Sequence, residues 1–210
     1  MTLSERIART LASGGAQAFE TDAGWTSWPQ VAVVAEAVNS RLAELDLKAG
    51  APVGLIGRNR LWSASAFLGV LAGQRCVVPI NPFQSEEKLL ADIAGLDLGA
   101  VIGEPEDFAS GALEALARRE GIGAIMLGGL LGADVRQVAA RGTGPVRDMG
   151  DCALLIPTSG TTGVPSYIPL TAGDRETLAG LLTQLDPADD TAAPPRNAPE
   201  DARAGRRGRA

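Results

Sequence analysis

Thr158-Ser159-Gly160-Thr161-Thr162-Gly163 is the stretch of this chain whose residue types and spacing could do chemistry. Six residues supply four hydroxyls and two glycines directly after an apolar run, Cys152-Ala153-Leu154-Leu155-Ile156-Pro157. Glycines let successive backbone N–H groups turn toward one point, and such a nest binds anions. The hydroxyls add neutral donors, so phosphate oxygens would be held by many directed hydrogen bonds rather than by one charge. Composition alone leaves a second reading open, a Ser/Thr/Gly turn with no ligand. Spacing excludes two familiar phosphate loops. A Walker A loop needs Gly-x4-Gly-Lys-Ser/Thr, but Gly160 and Gly163 are too close and no Lys follows. A dinucleotide fingerprint needs Gly-x-Gly-x-x-Gly between strand and helix, and neither Gly54/Gly57 nor Gly121/Gly123 completes it.

Other chemistry is narrowed by what the sequence lacks. There is no histidine, which removes His-based triads, His general bases and His-ligated metals. The two cysteines, Cys76 and Cys152, make neither a metal cage nor a disulfide framework, and both lie in apolar runs that predict buried small hydrophobes. A net charge of −6 argues against a general nucleic-acid binder. No apolar run reaches the ~18 residues of a membrane span, and charges interrupt the first nine residues. The expectation is a cytoplasmic chain with reduced thiols.

The elements that must position the loop alternate in type. A short amphipathic helix occupies the region before Gly14-Gly15. Ser27 and Pro29 open a longer helix whose apolar face is Val31, Val34, Ala35, Val38 and Leu42. Strands are expected at 53–57, 76–80, 100–102 and 123–127. Helices are expected at 62–71, from Ser85, and at 107–119. Residues 128–150 read as a loop with a short helical piece. After the 152–157 strand come a return strand at 167–170 and a helix at 174–185. Such alternation predicts an α/β fold with a mostly parallel sheet flanked by helices. The hydrophobic fraction is 45% and the aromatic fraction 4%, so the core is aliphatic. From Asp186 onward there is no Leu, Ile, Val, Met or aromatic residue, and residues 186–210 are expected to be a disordered tail.

Leu155-Ile156-Pro157-Thr158-Ser159-Gly160-Thr161-Thr162-Gly163-Val164-Pro165 resembles the signature loop of the AMP-binding, adenylate-forming superfamily. Acyl- and aryl-CoA synthetases, luciferases and peptide-synthetase adenylation domains belong to it. A second region is similar as well: Trp25-Thr26-Ser27-Trp28, Gly50, Val53-Gly54-Leu55, Asn59, Ala72-Gly73 and Val78-Pro79-Ile80-Asn81-Pro82. The resemblance covers roughly residues 22 to 172. It implies the N-terminal subdomain of such an enzyme over residues 1–185. It also implies ATP with Mg2+ as cofactor, with coenzyme A as the usual thiol acceptor. The reaction is attack of a carboxylate on the α-phosphate of ATP, then transfer of the acyl group to a thiol. The nucleophile is already an anion, so the missing histidine is compatible with the first step. By resemblance, Thr158, Ser159, Gly160, Thr161, Thr162 and Gly163 wrap the β- and γ-phosphates.

The departures from that pattern are specific. The family loop ends Pro-Lys, whereas here Pro165 is followed by Ser166. A histidine that often follows the next strand is replaced by the run Leu170-Thr171-Ala172, and Ala51 stands where an Asp usually follows Gly50. Family members run to more than twice this length. The adenine-binding segment, the magnesium-holding Glu, the ribose-binding Asp and the C-terminal domain with its catalytic lysine have no counterpart. The expectation is therefore a truncated member whose isolated chain is inactive and binds nucleotide weakly. The alternative is an interaction protein whose partner supplies the rest, or one that self-associates through exposed apolar surface.

Overall fold

The computed structural model describes residues 1–21, 24–158 and 166–171, with the side chains of Thr158 and Ser166 left aside. The helix expected at 174–185 and the tail from 186 lie outside the described residues. In chain order the elements are α1 (Leu3–Leu11), β1 (Gln17–Thr21), β2 (Gly24–Ser27), α2 (Trp28–Glu44), β3 (Pro52–Ile56), α3 (Leu61–Ala72), β4 (Cys76–Ile80) and α4 (Glu86–Ala94). They continue with β5 (Ala100–Gly103), α5 (Pro105–Phe108), α6 (Ala112–Glu120), β6 (Gly123–Leu127), a 3-10 turn (Gly132–Asp134), β7 (Val135–Ala139), β8 (Cys152–Thr158) and β9 (Ser166–Thr171).

A seven-stranded sheet runs β7-β6-β5-β3-β4-β8-β9. The pairs β6/β5, β5/β3, β3/β4 and β4/β8 are parallel, and β7 and β9 run antiparallel at the two margins. The mostly parallel α/β architecture expected from the alternation is what the chain adopts. Parallel sheets bury both faces, so their strands are apolar throughout instead of alternating with polar residues. All five residues of β3 and all four of β5 are buried. Successive side chains still divide between two cores. Val77, Ile102 and Ile125 face the layer of α1, α2 and α3, while Val78, Val101 and Ala124 face α4 and α6.

Local signals explain the helix ends. Thr2 and Glu5 close a capping box on α1: the Thr2 hydroxyl accepts from Glu5 N at 3.2 Å, and Thr2 N donates to Glu5 Oε2 at 2.7 Å. Ser27 is the N-cap of α2, with its N–H donating to Gln30 Oε1 at 2.9 Å. Ser85 caps α4 by accepting from Lys88 N at 3.3 Å, and Glu86 and Glu87 occupy the first turn, where the helix dipole favours anions.

Two glycines are required by geometry. Gly50 holds a left-handed φ of +78°, and a Cβ there would meet Asp148 Oδ1 at 2.1 Å. Gly69 lets α3 approach α2 closely, since a Cβ would lie 2.4 Å from the Ala35 carbonyl oxygen. Buried Arg75, just before β4, ties that strand to the end of α2. Its Nε and Nη2 donate to Leu47 O at 3.0 and 2.6 Å, and its Nη1 donates to Asn39 Oδ1 at 2.6 Å. Burial lowers the Arg75 pKa from its usual value.

Three local expectations are corrected. The segment before α2 holds the β1/β2 hairpin, paired antiparallel, and α1 ends at Leu11 rather than at the double glycine. The helix expected at 107–119 is two, α5 and α6, because Gly111 sits between them at φ +79°. The region 128–150 contains the expected short helical piece but also β7, which the sequence reading missed.

Candidate functional site

In open parallel sheets, ligands bind outside the carboxyl ends of the strands, at the point where strand order reverses. The order β4-β3-β5-β6 makes that point the gap between β3 and β5, because the chain goes from β3 to one side and then crosses to the other. The turns that follow these two strands carry opposite charges. Arg58 and Arg60 follow β3, while Glu104, Glu106 and Asp107 follow β5.

These groups pair across the gap. Arg58 forms a two-pronged bond to Asp107, Nη1 to Oδ2 at 2.8 Å and Nη2 to Oδ1 at 2.7 Å, and its Nε lies 3.1 Å from Glu106 Oε1. Arg60 donates to Glu104 and lies 3.0 Å from Glu106 Oε1 through Nη2. Ser63, on α3, donates to Glu104 Oε1 at 2.9 Å, and Asp107 accepts from Glu104 N at 2.7 Å. Glu104 has no solvent exposure, so its charge depends wholly on these donors. The Arg60 guanidinium also stands 5.6 Å from the centre of the Trp62 ring. The hydrogen bond to Asp107 raises the Arg58 pKa from an already high value. Burial would raise Glu106, but the hydrogen bond from Arg60 and the two arginine charges outweigh it and leave Glu106 below the usual carboxylate range. The reversal point is thus bridged by the protein's own ion pairs.

Open space lies beside it, over β3 and β4. A cavity of about 590 Å3 is lined chiefly by Leu55, Val77 and Pro79 from the sheet and Phe67 from α3, with Arg58 and Asn59 at its polar side. Phe19 of the β1/β2 hairpin also lines it. An apolar chamber with a few polar groups at one end suits a small organic molecule with one charged end. Among the described residues, no cluster of three or more His, Cys, Asp or Glu could hold a metal ion. The acids after β5 are instead committed to arginines.

The expected phosphate loop begins at the next carboxyl end along the sheet. Thr158 is the last residue of β8, the strand paired in parallel with β4, and it stands opposite Ser166, the first residue of β9. Ser159, Gly160, Thr161, Thr162 and Gly163, together with Val164 and Pro165, lie outside the described residues. The sequence reading missed Arg58, Arg60, Ser63, Glu104, Glu106 and Asp107 as a group. The available signal was opposite charge in the turns after two strands that crossover rules put side by side.

Exposed apolar side chains occur at the same, carboxyl, end of the parallel strands. Ile156 and Ile168 oppose each other on β8 and β9 and both are exposed, as is Phe83 just beyond β4. Among the described residues, no helix is long and apolar enough to cross a membrane.

Comparison with known proteins follows the same division. The family model described as AMP-binding enzyme matches residues 7–194. Among solved structures, ATP-bound MatB from Rhodopseudomonas palustris is 22% identical with a TM-score of 0.65, over 87% of this chain and 37% of that one. The inhibitor-bound N-terminal domain of FACL13 from Mycobacterium tuberculosis is 20% identical with a TM-score of 0.60, over 81% of this chain and 44% of that one. The anthranilate CoA ligase AuaEII in complex with anthranoyl-AMP is 20% identical with a TM-score of 0.64, over 86% of this chain and 36% of that one. At these identities the likeness is one of fold. The chain spans less than half the length of each. No curated protein matches it.

Proposed function

The chain belongs to the AMP-binding enzyme family, and from that premise we propose that its 210 residues form the N-terminal part of an ATP-dependent, AMP-forming carboxylate ligase unit of the acyl-CoA synthetase kind. Thr158, Ser159, Gly160, Thr161, Thr162 and Gly163 serve as its phosphate-binding loop. The observation that carries this reading is the position of Thr158 at the carboxyl end of a parallel-paired strand, where the hydroxyl- and glycine-rich run begins.

The family's chemistry defines what this portion contributes. A carboxylate attacks the α-phosphate and pyrophosphate leaves, so positioning the triphosphate and neutralising its charge are the work to be done. Backbone N–H groups and hydroxyls of residues 158–163 bind and orient the β- and γ-phosphates. A bound magnesium ion would supply further neutralisation of triphosphate charge. The cavity over β3 and β4 is lined mostly by apolar side chains and offers the acid an apolar wall. Coenzyme A is the family's usual second substrate.

Taken alone, the 210 residues bind Mg-ATP weakly and do not turn over. Ser166 occupies the position where the family loop carries a lysine. A hydrogen bond to a charged group contributes ~1.5–3 kcal/mol, which is roughly ten- to a hundred-fold in affinity. Calorimetric titration with Mg-ATP is expected to show weak binding by the wild type and a gain of that size in Ser166→Lys. Equal affinities would remove the loop from the phosphate site. Carboxylate-dependent exchange of pyrophosphate into ATP is expected to be absent, and measurable exchange by the pure chain would overturn the inactive reading.

A further inference from the structure

Cys76 and Cys152 are separated by 76 positions in sequence, yet their sulfurs lie 3.3 Å apart in the structure. Both are free and buried, on the first residues of the neighbouring strands β4 and β8. The Cys76 Sγ lies within hydrogen-bond reach of the Cys152 Sγ and, at 3.8 Å, of Val77 O, and the Cys152 Sγ lies 3.5 Å from Leu154 O. These are the protein's only two cysteines. Val77 of β4 is the register partner of Leu154 of β8, so Cys76 and Cys152 are offset by one residue along the strands. A strand spacing of about 4.8 Å and a rise of about 3.3 Å per residue put their Cα atoms roughly 6 Å apart, inside the separation that a disulfide spans. Closing the sulfur gap from 3.3 Å to a bond needs roughly 1.2 Å of movement.

The two residues differ in access. Cys76 has no exposed surface, whereas Cys152 is 5% exposed. Cys152 and Ala153 line a cavity of about 190 Å3 whose other walls include Thr2, Ser4, Gln74 and Asp151. Burial pushes the Cys76 thiol up, so it stays protonated at neutral pH. A reagent reaching the pair meets Cys152 first.

We propose that Cys76 and Cys152 are a modification site, a dithiol that a small disulfide reagent such as oxidised glutathione converts to an intrachain disulfide clamping β8 to β4. In the first step the Cys152 thiolate attacks one sulfur of the reagent. Its S–S bond breaks and one thiolate leaves, carrying an electron pair and taking up a proton. In the second step Cys76 loses its proton and attacks the Cys152 sulfur of the mixed disulfide, expelling the second thiolate. The two protein thiols are oxidised by two electrons, and the reagent is reduced to two thiols. The site is separate from the phosphate loop. Six residues of extended β8 put Cys152 about 20 Å from Thr158, so the clamp acts on stability and not on nucleotide contacts.

The test incubates the full native chain with oxidised glutathione and follows intact mass, thiol count and peptide linkage. The expected result is a transient glutathione adduct on Cys152 that resolves to a monomer about 2 Da lighter than the reduced chain. Its free thiols fall from two to none, and its peptides are linked through Cys76 and Cys152. Its Tm rises by roughly 5–10 °C, and a thiol reductant reverses the change. In Cys76→Ser the adduct persists because nothing expels the second glutathione. If that variant fails to fold, Cys76→Ala and the wild-type thiol count carry the same reading. A persistent adduct on the wild-type chain, disulfide-linked dimers, or two thiols that react only after urea unfolding would each overturn the proposal.

Discussion

Removing Arg60 is expected to cost more than removing the charge it neutralises. Glu104 is fully buried, and its donors among the described residues are Arg60 and the Ser63 hydroxyl. Arg60 is 40% exposed and also holds Glu106. In Glu104→Gln the amide keeps the shape and an acceptor for Ser63. Arg60 falls back on Glu106 and water, so the cost is that of a partly exposed ion pair, about 1 kcal/mol. In Arg60→Ala the carboxylate stays buried with one hydroxyl and the more distant charge of Arg58. Leaving the buried Glu104 carboxylate short of a donor costs ~1–3 kcal/mol, and the Arg58 charge offsets part of it. Lost contact with the Trp62 ring adds to the cost. The expected order of falling stability is therefore wild type, then Glu104→Gln, then Arg60→Ala. Adding Glu104→Gln to Arg60→Ala is expected to return at least ~1 kcal/mol, because it removes the stranded charge. Urea unfolding at neutral pH with unchanged m values reads all four proteins. A double variant no more stable than Arg60→Ala would show that Glu104 is not stranded there and would refute the reasoning.

Gly69→Ala is expected to destabilise. The new Cβ meets the Ala35 carbonyl oxygen at 2.4 Å and its Cα and carbonyl carbon at 3.0 Å. These are backbone atoms, so α2 and α3 must separate. Overpacking costs ~1–3 kcal/mol against about 1 kcal/mol of improved helix propensity, and a raised Tm would contradict the close approach. Acid is expected to weaken the strand-end network. Glu106 titrates lower in the folded chain than unfolded, so its contribution is complete above its ordinary pKa near 4.5 and disappears as pH falls through the lower folded value. Urea midpoints followed down through that range are expected to fall more steeply for the wild type than for Glu106→Gln, and parallel curves would contradict it.

The sheet was legible because its strands are short apolar runs separated by amphipathic segments, which only a two-sided parallel sheet accommodates. Val53-Gly54-Leu55-Ile56 and Cys76-Val77-Val78 gave their positions to within a residue or two. What escaped was structure made by pairing. Gln17–Thr21 and Val135–Ala139 carry polar residues at their exposed positions and lie at or outside the sheet margin, so no apolar run marks them. The break between α5 and α6 turns on one glycine inside a helical pattern. For the site, the hydroxyl- and glycine-rich motif was visible because it is contiguous. The bridge from Arg58 and Arg60 to Glu104 and Asp107 joins residues more than forty positions apart. Its meaning depends on β3 and β5 being neighbours. The meeting of Cys76 with Cys152 has the same origin, since apolar context announced their burial and only the β4/β8 pairing brings them together.

The place of β8 in the sheet sets an order of events for the nascent chain. β3, β4, β5 and β6 assemble from contiguous sequence ending at Leu127, each crossover supplying the helix that covers it. β8 joins β4 from 72 residues further on, counting from Ile80 to Cys152. Until it does, β4 is a bare border with unpaired backbone groups flanked by Val77 and Val78. Long-range strand pairing is slow to nucleate, so during synthesis this border is the surface most open to mispairing with another chain.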